Sequence, residues 1–306
     1  MTQLGEMVEV ALATELSVEC PFTSPADPEI SEEKESVAKD DLDSVAEPQA
    51  NDGGILGRNL KNASNGEAKF VNQLCPAPLP DKNPPIDTRR GGGGKISVKG
   101  DSSGEYPYTV AAHHLIPGEA SLVKSRLYKK YMVKNGKIKT RSGREFTITQ
   151  NIGYCVNGAH NGVWLPGNYA IREKTSPKEG VSWGSAPGKP GLIDLDEFKD
   201  WCFNYMLACV DKVQGQFHDS HPTYNEKALG VLNMTHRALV THQDTCKQCE
   251  GKDTVPPPYI VKTKLYFISQ YLYTKLRVQH GAQWKVPWYT SERFHMAMLN
   301  HGLLGS

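Results

Sequence analysis

At 306 residues, with 23% charged side chains and a mean hydropathy of −0.50, the chain suits one large domain or two modest ones of a soluble protein. No run of about eighteen apolar residues is present, which argues against a membrane span, and an odd count of seven cysteines argues against a disulfide framework. The net charge of +1 hides an asymmetry: residues 1–50 hold thirteen acidic and two basic side chains, leaving thirty-three basic and twenty-one acidic for the rest. An acidic arm on a basic body points to a body that meets polyanions.

Residues 1–9 carry Glu6 and Glu9 and no Lys or Arg, so no basic leader of a signal peptide is expected. Leu4, Met7, Val8, Ala11 and Leu12 have the spacing of a short helix, a candidate docking or delivery element. Residues 20–60 are rich in Pro, Ser, Asp and Glu and are expected to be largely disordered. Five prolines in 76–94, followed by Arg89, Arg90 and four glycines, read as a stiff and then flexible linker. The expected division is therefore a mostly disordered arm and linker over 1–94, a domain over 95–250, and a helical extension over 251–306 packed on it.

Within the body, YPYTVAAHHLI at 106–116 is β-favouring and runs into the turn signal Pro117-Gly118. EFTITQNI at 145–152 alternates as a strand does. Residues 167–192 are rich in Gly and Pro and read as an inserted loop. Leu195, Phe198, Trp201, Cys202, Tyr205, Met206, Cys209 and Val213 have helical spacing. A second helix follows, with Ser220 as its expected N-cap and Pro222 in its first turn. Residues 259–278 are more aromatic and read as a helix or a strand followed by a helix.

Four features follow in order: His113-His114 at a strand end, Asn161 in a glycine-flanked turn, Trp164-Leu165-Pro166, and His218-x-x-His221 at a helix start. Histidines on a strand, loop, strand and helix suit single-metal phosphodiester hydrolysis, which needs an activated water and a cation beside the phosphate. Neutral imidazole is both a metal ligand and a general base near pH 7, so adjacent histidines can divide these roles. Neighbours on a regular strand face opposite ways; convergence of His113 and His114 therefore requires an irregular strand end, which Pro117-Gly118 would allow. Asn161 is expected to hydrogen-bond the base or the turn and so orient the imidazole. His236, His280, His295 and His301 are expected to be ordinary surface or hydrogen-bonded histidines, and His160 to be exposed.

The segments AAHHLIP at 111–117, NGAHNGVWLP at 157–166 and FHDSHPTYNEKA at 217–228 resemble the AHH group of the HNH/endonuclease VII (ββα-metal) nucleases. That family is common among toxin domains of bacterial polymorphic, contact-dependent and type VI secretion systems. The resemblance spans roughly residues 106–240. It implies an α+β fold with a ββα-metal core, here carrying a long insertion and extra helices behind a disordered acidic arm. By position, His113 resembles the first metal ligand, His114 the general base, Asn161 the central catalytic-site Asn, and His221, with His218 beside it, the helix ligand. This sequence departs from the pattern in having His160 where an acidic residue is expected, and in the roughly fifty residues between Pro166 and His218. The implied activity is metal-dependent endonuclease cleavage, with DNA as the expected substrate and Mg, Mn, Ni or Zn as the ion. An RNase of the same fold is the enzymatic alternative.

Two further signals stand outside that constellation. His242, Cys246 and Cys249 have the spacing of a structural zinc site, with Cys202, Cys209 or His236 as candidate fourth ligand. The non-enzymatic alternative follows from it, a nucleic-acid-binding module stapled by zinc. Between 121 and 145 nine basic residues face one acidic residue. Of these, Lys124, Arg126, Lys129, Lys130, Lys137, Lys139, Arg141 and Arg144 are candidate phosphate contacts. A toxin further implies a cognate immunity protein and a carrier in the secretion apparatus reached through the N-terminal arm. It would be made in the bacterial cytoplasm, exported without a signal peptide, and active in the target-cell cytoplasm, with no membrane role.

Overall fold

A computed structural model describes residues 22, 51–64, 93–102, 104–140, 142–170, 195–243, 251–277 and 288–304. The architecture is α+β, with two small three-stranded sheets and helices packed about them. No helix among the described residues is long and apolar enough to cross a membrane.

The first sheet has the order β1 (Gly94–Ser97), β2 (Glu105–His114), β5 (Gly162–Gly167), with both pairings antiparallel. The second joins β3 (Lys137–Lys139) to β4 (Glu145–Ile148) as a hairpin, with β6 (Thr254–Val255) added parallel to β4. Between β2 and β3 the chain makes two short wide-turn helices, Gly118–Leu122 and Tyr128–Met132. Five longer helices complete the fold: α1 (Gly53–Ser64), α2 (Leu195–Val213), α3 (Pro222–Gln243), α4 (Tyr259–Leu276) and α5 (Glu292–Asn300).

Successive side chains on a strand point to opposite faces, and β5 shows what this does here. Val163 and Leu165 enter the largest core, with Leu115, Ile116, Tyr131, Tyr224, Leu232 and Leu265. Trp164, between them, packs instead against Leu56 and Leu60 of α1. A second core joins Tyr106 and Tyr108 of β2 to Trp201, Tyr205 and Met206 of α2 and to Phe294 and Met298 of α5.

Two expectations about boundaries change. The folded body extends upstream of Lys95, because α1 lies within the segment expected to be disordered. Its signal is short but present: Leu56 and Leu60, four apart, form an apolar stripe, and the Asp52 carboxylate caps the helix by accepting from Gly54 N and Ile55 N at 2.8 and 2.9 Å. Nor is the region after 251 an appendage. β6 pairs with β4, and Val261, Leu265 and Leu272 of α4 share the large core with Val163. The short helix expected over residues 4–18 and most of the loop expected over 167–192 lie outside the described residues, as do His280 and Arg141.

Candidate metal centre

His113 and His114 are the last two residues of β2, and both are in register with β5, opposite Val163 and Gly162. The strand is therefore regular to its end, and the irregularity expected to make the pair converge is not there. The pleat sends the two rings to different neighbours. His113 meets the start of α3, at ring-centroid distances of 4.9 Å to His218, 4.9 Å to His221 and 5.3 Å to Tyr224. His114 instead bonds Asn157, its Nε2 lying 2.7 Å from Oδ1.

The approach to α3 is fixed by backbone bonds on both sides. His218 N donates to Pro166 O at 2.7 Å, and His218 bridges Gly167 at the end of β5. Asp219 N donates to Thr290 O and Glu292 N to Ser220 O, which ties the same segment to the start of α5. The helix begins at Pro222, so His221 rather than Ser220 occupies the capping position. The hydroxyl of Tyr224, one turn in, donates to Leu115 O at 2.6 Å and locks the helix start to the residue after His114. The geometry makes no choice between His218 and His221: with His113, they place one potential ligand atom each within 4.8 Å of one another.

The donor set fits a cation. His113 Nε2, His218 Nδ1 and His221 Nδ1 are all buried without a hydrogen-bond partner, and a buried polar atom without a partner costs about 1–3 kcal/mol. Nitrogens sharing one ion at about 2.1 Å stand roughly 3.4 Å apart in tetrahedral geometry, so small side-chain rotations close the set. Metal binding also needs bare lone pairs. Burial, reinforced by the charges of His218, His221 and His114, holds His113 well below the ordinary imidazole range. Burial likewise lowers His218 to about 3, with the charges of His221 and His114 adding to it. His221 is lowered by burial too, against opposing contributions that include its Asn225 hydrogen bond and the Asp219 and Glu292 carboxylates. All three are neutral donors near pH 7.

His114 stands outside the three-histidine cluster, although its charge acts on His113 and His218. Asn157 Oδ1 also accepts from Asp52 N at 3.0 Å, and that backbone donor fixes which end of the carboxamide faces the ring. His114 must then donate through Nε2–H, which leaves the lone pair on Nδ1. Burial lowers its pKa, while the Asn157 hydrogen bond and the charge of Asp52 act upward. The imidazole is neutral near pH 7, with one nitrogen anchored and the other available.

Asn161, expected at the catalytic centre, makes no hydrogen bond to His114. It is fully buried. Its Oδ1 accepts from Ile116 N at 2.8 Å and Ser269 Oγ at 3.1 Å, and its Nδ2 donates to Ile116 O and Val156 O at 2.9 Å. These bonds fasten the turn before β5 to the residues after β2, so of its two expected roles it performs the structural one. The residue that orients His114 is Asn157, in the same NGAHNG run but four positions earlier. Periodicity could not separate them, because both lie in a turn.

His160 is buried rather than exposed, 4.4 Å from the Tyr266 ring and 5.0 Å from that of Tyr154. His236 is also buried, beside Tyr131 on α3. His295 stacks on Tyr289 at 3.8 Å, and His301 stacks on Phe203 at 4.1 Å.

The basic stretch divides between two places. Lys124 and Arg126 lie between the two wide turns and Lys129 and Lys130 on the second, and Arg126 N donates to Asn233 Oδ1 of α3 at 3.0 Å. Lys137, Lys139 and Arg144 belong to the β3–β4 hairpin. There Lys139 pairs with Glu145 at 3.4 Å and Arg144 lies over the Phe146 ring. The His242 side chain, Cys246 and Cys249 lie outside the described residues. Cys202 and Cys209 are buried in the second core.

Set against family models, characterised proteins and solved structures, the chain matches none of them.

Proposed function

We propose that the chain is a metal-dependent endonuclease of the HNH/AHH type, hydrolysing phosphodiester bonds in DNA. The supporting observation is the convergence of His113, His218 and His221, each with a buried ring nitrogen that lacks a hydrogen-bond partner, next to His114, whose tautomer Asn157 fixes. In this reading β2, β5 and α3 would be the two strands and helix of a ββα-metal core, with α2 inserted between β5 and α3. His113, His218 and His221 would hold the ion, which on binding supplies stabilisation of the charge developing on the phosphate and leaving oxygens. His114 then serves as general base: Nδ1 takes a proton from water while Nε2–H stays bonded to Asn157. Asn157 orients that ring, and Tyr224 holds the helix ligands against the strand that carries both histidines. Lys124, Arg126, Lys129 and Lys130, on turns packed against α3, bind the phosphate backbone without reading sequence.

The test is plasmid degradation by purified protein with Mg²⁺, Mn²⁺, Ni²⁺ or Zn²⁺, beside EDTA and His114→Ala. Unchanged cleavage by His114→Ala would remove the proposed base. Total RNA run in parallel decides the sugar, since phosphate chemistry does not. The role of antibacterial effector, with an immunity protein and a secretion carrier, rests on the sequence resemblance. Expression in the cytoplasm of a susceptible bacterium tests it: equal growth with wild type and His114→Ala would sink it.

A further inference from the structure

We infer that residues 51–64, which precede the sheet in sequence, form a strap that sets the His114 ring for its work through Asn157. The catalytic consequence rests on the nuclease reading; control of the ring does not.

The strap grips both sides of the turn region around His114. Asp52 N donates to Asn157 Oδ1, the same atom that receives His114 Nε2–H. Asn59 Nδ2 donates to the Asn157 backbone carbonyl at 2.8 Å, about two helical turns further on. On the other side, Gly118 N donates to Asn51 Oδ1 at 2.7 Å, which ties down the chain just after Pro117. Three side-chain or backbone groups of one short segment thus converge on the two loops that leave the β2–β5 end.

Packing shows that the sheet is built to receive this segment. Leu56 is fully buried, and Leu60 and Trp164 complete its cluster. At Gly162, the register partner of His114, a Cβ would lie 2.7 Å from Leu56 Cδ1 and 2.9 Å from Leu60 Cδ1, so both leucine side chains would have to shift to admit one. On the strap, a Cβ at Gly57 would lie 3.2 Å from the Trp164 ring. Close contact therefore occurs directly opposite His114.

With the strap docked, Asn157 presents an acceptor that is already oriented, and His114 has one tautomer. Without it, Asn157 loses a bond at its Oδ1 and a bond at its backbone carbonyl, and the ring is free to turn or exchange its proton site. Asp52, Asn59 and Asn157 are positioning residues in this arrangement, acting through His114 and not on substrate.

The experiment uses the full chain, metal-free, with ¹⁵N-labelled histidine. Two-dimensional ¹H–¹⁵N spectra of the ring nitrogens report the tautomer directly, and Leu56→Asp and Asn59→Ala loosen the strap from its apolar and polar sides. The expected result is a single Nε2–H form of His114 in wild type and averaged nitrogen shifts in both variants, with Asn59→Gln restoring the single form. Zinc affinity at the three-histidine cluster stays within about threefold of wild type, and cleavage falls about 10–100-fold, the usual cost of losing an outer orienting partner. If Leu56→Asp fails to fold, Asn59→Ala decides alone. A single Nε2–H tautomer persisting in folded strap variants overturns the inference. Because the tautomer is read without metal or substrate, a wild-type protein that cleaves nothing would refute the nuclease reading and leave this result standing.

Discussion

His113 and His160 invite comparison. Each is buried near the end of a strand pair, each leaves Nε2 without a partner, and burial depresses the pKa of each. Their neighbours differ. His113 faces two more histidines, whose unpartnered nitrogens lie within ligand reach of its own. His160 faces the rings of Tyr154 and Tyr266, and the charge of Lys262 acts on it. Two tyrosines and an ammonium do not make a site for a divalent cation near neutral pH. Burial and a depressed pKa alone thus do not distinguish a ligand from a core histidine; convergence of several lone pairs does.

The sharpest way to break this contrast is to exchange the roles. His113→Ala is expected to weaken zinc binding by at least about a hundredfold, since losing a direct ligand exceeds the 10–100-fold cost of losing an outer partner. His160→Phe is expected to leave it unchanged. Calorimetric titration of both variants checks this, and equal losses would erase the distinction. His114→Ala separates chemistry from binding within the site: cleavage should fall about 10²–10⁴-fold, the usual worth of a general base, with zinc affinity unchanged. Single-turnover kinetics beside the same titration would show it.

Asn161→Ala is expected to act through the fold instead. Four hydrogen bonds of a fully buried amide are lost, so the urea midpoint should drop by an amount equivalent to roughly 2–4 kcal/mol. The smallest effect concerns acid. Burial, aided by the charge of Lys262, lowers His160 to about 3, whereas the unfolded chain takes up that proton near 6.5. The unfolded state therefore binds more protons between these values, so this contribution is present above about pH 6.5 and lost as pH falls toward 3. Urea midpoints of the metal-free protein at pH 7.5, 5.5 and 4.5 should decline, and less steeply in His160→Phe. An unchanged slope in that variant would show that His160 is not buried as described.

Much of this arrangement could be read from the residues, and its gaps have particular causes. The strand ending in His113-His114, the strand around Trp164 and the helix opened by Pro222 are local patterns, and each lies where its pattern puts it. Helix α1 was hidden because twelve residues with three glycines among them have weak helical propensity of their own. Contact with Trp164 and Gly162 supplies what propensity lacks. Similarly, residues 118–132 carry a helical composition without a helical period, and the wide turns they form are held by α3, through Ser121 Oγ to Asn225 O and Arg126 N to Asn233 Oδ1.

The sequence by itself determined the donors: which histidines stand at strand and helix ends, in what order, and beside how many cations. Those are properties of neighbouring residues, and neighbouring residues carry them. Only the tertiary structure decided which neighbours each histidine meets. The pleat sent His113 to α3 and His114 to Asn157, because consecutive side chains of a regular strand cannot share a face. Likewise, the segment of α1, more than ninety residues away in the chain and docked opposite Gly162, holds Asn157, and not Asn161, as the partner of His114. A hydrogen bond depends on where two atoms finally lie, and the spacing of letters within one turn leaves that open.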